Sequence, residues 1–401
     1  MEDNLEAVGL VTEYNPFHNG HAYHVTQAKA VTGADTVVAV MSGNYVQRGV
    51  PAVFDKWRRT ELALAGGVDI VFELPFAFAV QPAHIFARGA VQLLADAGVS
   101  SIVFGAEHAE LDFLALAQQA RERLAADDHF SADYSQTYAT AFNDVLAEVV
   151  GFRLTNPNDM LGFAYATAVI ELGLADQIRL QPIQRIKAGY HDTTLSDDHI
   201  ASATALRELI NQEAPAAEFA DYVSQPAAEL LAQGTQTADW SETWYDALRY
   251  KVLTTPIDEL ETIYQLTDGL AYRLKETIER DITADYETFM TTFKSKRYTQ
   301  ARLQRTLLYT VLNITDAEMQ TAMQQPYLRM LGATPVGRRY LKQQRESFTL
   351  PLIHKVEKDD LTGILMLDYR AGRLYQQFSR TRQDKASPLD TGRIPVFIER
   401  G

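Results

Sequence analysis

Five short apolar runs punctuate the first half of the chain, each separated from the next by residues at helical spacing. This alternation constrains the fold more than any other feature. Ala7–Thr12 (AVGLVT), Thr36–Met41 (TVVAVM), Val68–Leu74, Ser101–Gly105 (SIVFG) and Gln177–Ile186 read as strands. Helices are expected over Gly20–Val31, stopped by Gly33, and over Lys56–Ala65, ended by Gly66-Gly67. Two more are expected over Pro82–Ala95, with Gly98 just past its end, and over His199–Gln212. Strands separated by helices imply an α/β, Rossmann-like parallel sheet with helices on both faces. Ligands on such sheets bind at the carboxyl ends of the strands.

Beyond residue 215 the pattern changes to Leu, Ala, Glu, Gln and Arg at helical spacing, and no strand stands out. The expectation is a nucleotide-binding domain over 1–215 and a mostly α-helical domain over 216–401, with an irregular tail from Ser387 to Ile398. A chain of 401 residues, 46% hydrophobic, is long enough for two cores. It has no cysteine, which excludes disulfides, a thiol nucleophile and Cys-type metal sites. The acidic start, with Glu2, Asp3 and Glu6, lacks a signal-peptide pattern. The most apolar run, Val68–Val80, is broken by Glu73 and Pro75 and is too short to span a bilayer. A cytoplasmic protein without a membrane partner is expected.

The sharpest chemical signal is NPFHNGH, from Asn15 to His21, between the first strand and the helix after it. Gly20 allows close backbone approach to a phosphate, and a helix N-terminus offers N–H donors with a partial positive charge. His18 and His21, three positions apart, lie on neighbouring turns and can donate to one phosphoryl group in its transition state. Asn-Gly is also an ordinary turn, and His18, His21 and His24 could be surface residues or a metal cluster. The strand-to-helix position favours phosphate, and there is neither a GxxxxGK loop nor an HExxH helix. A second signal is IASATALR, residues 200–207, where Ser202 and Thr204 open a helix and Arg207 adds charge. Arg48, Lys56, Arg58 and Arg59 after the second strand could reach phosphate or RNA, and charge on a solvated helix face explains them at least as well. Tyr190, His191 and Asp192 receive no role.

Residues 291–345 carry ten Lys or Arg against two acids, in a chain whose formal net charge is −15. A helix through Thr299–Asn313 would place Tyr298, Arg302, Arg305 and Tyr309 on one face, with Leu303, Leu307 and Val311 opposite, toward the core. Arginine interleaved with tyrosine suits RNA phosphates and bases. Lys294, Lys296 and Arg297 extend the patch.

The stretches GLVTEYNPFHNGH (9–21), MSGNYVQRGVPAVFDKW (41–57), DIVFELP (69–75), NPNDMLG (156–162), RIKAGYHD (185–192) and SKRYT (295–299) carry a resemblance. The chain is similar to HxGH-type nucleotidyltransferases and, over nearly its whole length, resembles the bacterial tRNA(Met) cytidine acetate ligase family. The resemblance implies that ATP and acetate form acetyladenylate, whose acetyl group passes to N4 of the wobble cytidine of elongator tRNA(Met). It also implies roles. His18 and His21 would stabilise the α-phosphate. Val11, Thr12, Glu13, Tyr14, Asn15, Pro16, Phe17, Asn19, Gly20 and His24 would enclose ATP with them. Gly105 or Ala106, Asn158 and Arg185 would complete the pocket, joined by Ser202, Thr204 and Arg207. Position 201 is alanine where many relatives carry a hydroxyl residue. Mg2+ would ride on the ATP phosphates, because no carboxylate cluster for it is evident. The expected partners are ATP, acetate and tRNA, with no DNA. A small-molecule adenylyltransferase and a non-catalytic RNA-binding protein are the competing readings.

Overall fold

A computed structural model describes residues 4–125, 147, 151, 154–185, 202–212, 214–232, 240–378 and 390–399. Tyr190, His191, Asp192, Ile200 and Ala201 lie outside the described residues, as does part of the expected irregular tail.

The five expected strands all form: β1 (Ala7–Thr12), β2 (Thr36–Ser42), β3 (Ile70–Leu74), β4 (Ser101–Ala106) and β5 (Arg179–Gln184). They pair in parallel in the order β5-β4-β1-β2-β3, with Ala7 opposite Thr36 and Ser101 opposite Arg179. The order reverses direction between β1 and β4, and this is where a parallel sheet opens a crevice at its carboxyl edge. Four expected helices also form: α1 (Asn19–Thr32), α2 (Lys56–Ala65), α4 (Ala83–Asp96) and α7 (Ala203–Asn211). The sequence reading missed α3 (Phe76–Ala79), α5 (Phe113–Ala125) and α6 (Pro157–Glu171). Helix α6 is apolar nearly all round because it is buried against α4 and α5, so no amphipathic stripe betrays it.

Side chains of β2 alternate between two cores. Val37, Ala39 and Met41 join Trp57 and Leu62 on one face, while Val38 and Val40 join Phe86, Leu94 and Val169 on the other. The first core continues without a break into the later helices through Leu248, Leu274, Leu303 and Leu307. Those helices are α8 (Gln225–Ala232), α9 (Trp240–Thr254), α10 (Ile257–Leu260), α11 (Leu270–Arg280), α12 (Tyr286–Phe293), α13 (Gln300–Leu312), α14 (Asp316–Gln324), α15 (Pro335–Gln344) and α16 (Met366–Gln377). None of the described helices is long and apolar enough to cross a membrane.

The mostly helical second half also carries strands that did not stand out in the sequence. β6 (Leu328–Ala333) pairs antiparallel with β3, and β7 (Leu352–Ile353) and β8 (Val396–Phe397) pair in parallel with β6. Six residues with an arginine at the second position do not look like a sheet interior. Arg329 is nevertheless buried, because Glu73 meets it at 3.0 Å and Asp390 at 2.8 Å. Lys56 closes the cluster, with Nζ at 2.8 Å from Glu73 and 2.7 Å from Asp390. Two cations and two anions thus share one buried site, which ties residue 390 to the middle of the sheet.

Candidate active site

The β1–α1 connection is held by its own histidines. His18 is the N-cap of α1, and its Nδ1 accepts the Gly20 N–H at 3.0 Å. His21 reaches back, its Nδ1 accepting the His18 N–H at 3.3 Å. Two imidazoles therefore do what Ser and Glu do in an ordinary capping box. The rings stack with centroids 3.8 Å apart. Because each Nδ1 is an acceptor, each ring carries its proton on Nε2. Burial, then the charges of Arg185 and Arg207, hold His18 down at about 3. Burial also pulls His21 well below the ordinary range, with His18, His24 and both arginines adding to it. Both rings are neutral at physiological pH, each with a fixed N–H donor. His24 is likewise lowered to about 4 by burial, and its Nε2 lies 3.2 Å from the Val103 carbonyl of β4.

The second signal lands on the same site. Ser202 caps α7, its Oγ accepting the Ala205 N–H at 3.0 Å. Arg207 donates to the Asn15 carbonyl at 2.8 Å and to Thr204 Oγ1 at 3.0 Å, which locks the start of α7 to the β1–α1 loop. Together these elements line a cavity of about 320 Å3 at the carboxyl ends of β1, β4 and β5. Val11, Thr12, Glu13, Tyr14, Asn15, His18, Gly20, His21, His24, Gly105, Asn158, Arg185, Ser202, Thr204 and Arg207 all border it. Three residues expected here do not. The Phe17 ring is buried in the core beside Tyr14 and beneath Gly66, where an added Cβ would come 2.2 Å from it. Asn19 turns its amide to the Asp221 carbonyl at 2.9 Å, and Pro16 closes the cis Asn15–Pro16 bond away from the cavity wall. Gly105, not Ala106, faces the cavity. Ala106 is in the core, and Gly105 leaves room for the Arg185 stem.

Several supporting residues were not foreseen. Glu107, just past β4, accepts from Asn158 Nδ2 at 2.6 Å and lies 3.8 Å from Arg185 Nε, so one carboxylate steadies two cavity residues. Arg59 is fully buried and donates to the carbonyls of Glu13 at 2.6 Å, Ser42 at 3.0 Å and Phe54 at 3.0 Å, and also to that of Gly43. It binds the loops after β1 and β2 together, and neither it nor Lys56 is a surface charge. An apolar wall of Phe86, Phe104, Leu161 and Tyr165 completes the cavity. Glu107 was findable, because it follows a strand at its carboxyl end. Arg59 was not, since nothing in its neighbourhood distinguishes it from the exposed Arg88.

Among the described residues no group of three or more His, Asp or Glu could hold a metal ion. Glu13 is the one carboxylate among the described residues that border the cavity. The donor set does not fit a resident metal.

The expected RNA face needs correction. Tyr309 is fully buried and its hydroxyl donates to the Val80 carbonyl, Arg305 is 6% exposed and Tyr298 7%. Val311, placed toward the core by periodicity, is only half-buried. Helix α13 is enclosed on both sides. The Val80 turn covers Tyr309, and the loop after β2 presses so closely that a Cβ on Gly49 would come 2.9 Å from the Arg305 backbone. Lys294, Lys296 and Arg297 remain exposed, and the Arg302 guanidinium lies 4.5 Å from the Tyr298 ring centre.

Among the described residues, this cavity offers fixed neutral donors, cationic side chains and a single carboxylate, Glu13. That is what transfer at a nucleotide's α-phosphorus asks, since the attacking oxygen belongs to a substrate and the protein need only align and neutralise. Fold and site together define a nucleotidyltransferase. A family described as HIGH Nucleotidyl Transferase matches residues 5–388. The tRNA(Met) cytidine acetate ligase of Leuconostoc mesenteroides is 46% identical, covering 99% of this chain and 100% of the relative. That of Oenococcus oeni is 41% identical, covering 98% and 100%. The crystal structure of Thermotoga maritima TmcAL bound with alpha-thio ATP has a TM-score of 0.84 at 30% identity, covering 99% of this chain and 100% of that one. The chain belongs to the HIGH nucleotidyltransferase family and, within it, to the tRNA(Met) cytidine acetate ligases.

Proposed function

We propose that the protein activates acetate with ATP and transfers the acetyl group to N4 of the wobble cytidine of elongator tRNA(Met). The carrying observation is the pair of neutral, mutually capped histidines that share a cavity with Arg185 and Arg207. The relatives' names supply the acceptor.

In this reading His18 and His21 direct their Nε2–H donors to the α-phosphate. An acetate oxygen attacks phosphorus and pyrophosphate leaves, neutralised by Arg185, Arg207 and the N–H groups at the start of α7. No protein base is needed, because acetate is already ionised. The cytidine N4 then attacks the acyl carbon, the bond to the AMP oxygen breaks, and N4 gives up a proton. Mg2+ arrives on the ATP phosphates rather than in a protein cage. Activation belongs to residues 1–215. Residues 216–401 serve tRNA, with Lys294, Lys296 and Arg297 as the exposed contacts and Arg302 half-buried beside Tyr298.

Mass spectrometry of elongator tRNA(Met) incubated with protein, ATP and labelled acetate tests the reading. Labelled N4-acetylcytidine and free AMP are expected. AMP joined to a small metabolite instead, or label entering from acetyl-CoA without ATP, overturns it.

A further inference from the structure

We propose that Glu13 receives the exocyclic amino group of the acceptor cytosine and takes the proton that acyl transfer releases. The inference rests on the reading above and assigns a group to its second half.

The two halves of the reaction make opposite electrostatic demands. Activation brings in ATP and acetate, both anions, and needs no proton transfer. A carboxylate in the cavity opposes it. Acyl transfer brings in a neutral amine that must lose a proton. Among the described residues, the charged side chains bordering the cavity are Arg48, Arg185, Arg207 and Glu13. Glu13 therefore opposes the first half and suits the second.

Its placement is built. Glu13 Oε1 accepts the Gln47 N–H at 2.8 Å, which orients the carboxylate, and Arg59 holds its carbonyl at 2.6 Å. Glu13 borders the cavity together with His18 and Tyr165. A carboxylate is also the usual acceptor for a cytosine N4 amino group.

Among the described residues, the other cavity groups suit the role less well. His18 and His21 use Nδ1 to cap α1, so each Nε2 already carries its proton. His24 donates its Nε2–H to the Val103 carbonyl, and burial holds the ring, whose remaining acceptor is Nδ1, down at about 4. The arginines have no proton-accepting capacity, and burial keeps the Tyr165 phenol protonated.

The step balances. The N4 lone pair forms the N–C bond and the acyl C–O bond breaks. AMP leaves with that electron pair, and the N4 proton passes to Glu13 Oε2.

The test separates the halves. Acetate-dependent ATP–pyrophosphate exchange reports activation, and single-turnover transfer from preformed acetyladenylate to elongator tRNA(Met) reports acylation. Glu13→Gln keeps an acceptor for the Gln47 N–H but cannot take a proton. Its transfer rate should fall about 10²–10⁴-fold, the scale of a lost general base, and by at least 100-fold more than its exchange rate. Glu13→Asp keeps the carboxylate one methylene shorter. Its transfer loss should be smaller than that of the Gln variant yet still exceed its exchange loss, a split that can be read even if the Gln variant does not fold. Transfer and exchange falling together, or neither falling, overturns the assignment. Wild-type protein that forms acetyladenylate but acetylates no tRNA overturns the functional reading itself, a separate outcome.

Discussion

His18 does two things with two nitrogens, and substitution can separate them. Its Nδ1 caps α1 by accepting the Gly20 N–H at 3.0 Å, and its Nε2–H is the donor available to the cavity. Asparagine places Oδ1 where Nδ1 sits on the same Cγ, but it has nothing at the position of Nε2. His18→Asn should therefore keep the cap and unfold within about 0.5 kcal/mol of wild type, since Asn is among the best N-cap residues. It should lose one preorganised transition-state donor, worth about 2.7–4 kcal/mol, or 10²–10³ in rate. His18→Ala removes both functions, so it should add about 0.5–2 kcal/mol of destabilisation to the same loss of rate. His18→Gln extends a donor toward the Nε2 position and gives up the cap, so it should be the less stable but more active of the two amides. Acetate-dependent ATP–pyrophosphate exchange gives the rate, and chemical denaturation followed by circular dichroism gives the stability. Exchange within about threefold of wild type in folded His18→Asn would falsify the assignment of His18 as a phosphate donor.

Four further outcomes follow from the geometry. Burial holds His24 at about 4, so below pH ~6.5 the unfolded chain takes up a proton that the folded chain refuses, and stability falls with acid down to about pH 4. Between pH 7 and pH 5 this one ring costs about 2 kcal/mol, and His24→Gln should be less acid-sensitive by that amount in denaturation measured at both values. In the buried cluster, Lys56→Met leaves Glu73 and Asp390 with Arg329 alone, and should destabilise by about 3–5 kcal/mol; a loss under 1 kcal/mol in urea melts would mean that the cluster contributes little. Replacing Lys294, Lys296 and Arg297 by Ala should weaken tRNA binding and flatten its dependence on log salt by about one unit per lost phosphate contact. Tyr309→Phe should leave tRNA affinity unchanged while costing about 1 kcal/mol of stability through the lost bond to Val80.

The division between what was legible and what was not follows the range of the interactions. Strand β1 and helix α2 form with the expected bounds, because each is specified by its own apolar run and its own stop signal. The HNGH turn was legible for the same reason, since a strand, a glycine and a helix start are neighbours in the chain. That Ser202, Thr204 and Arg207 border the same cavity was also readable, because both segments follow strands at the carboxyl edge and sheet topology brings such ends together. Helix α6 escaped because it packs against both α4 and α5 and is apolar on nearly every face. A helical wheel through α13 placed Tyr309 outside and Val311 inside, but the Val80 turn, 229 residues away, covers the tyrosine. Periodicity identifies a helix without saying how many of its faces will be covered.

By itself the sequence determined the five strands, the turn and helix start after β1 and the alternation that implies a parallel sheet, because each of these is written in a local run of residues. Only the tertiary structure decided that the cap of α1 is a pair of histidines holding each other's tautomer, because that depends on ring orientation. It alone decided that Arg329 sits inside a sheet, because burying an arginine is tolerable only where Glu73 and Asp390, separated by more than 300 positions, arrive at the same place. Charge compensation between residues remote in sequence leaves no local pattern, and it is settled only when the chain has closed around it.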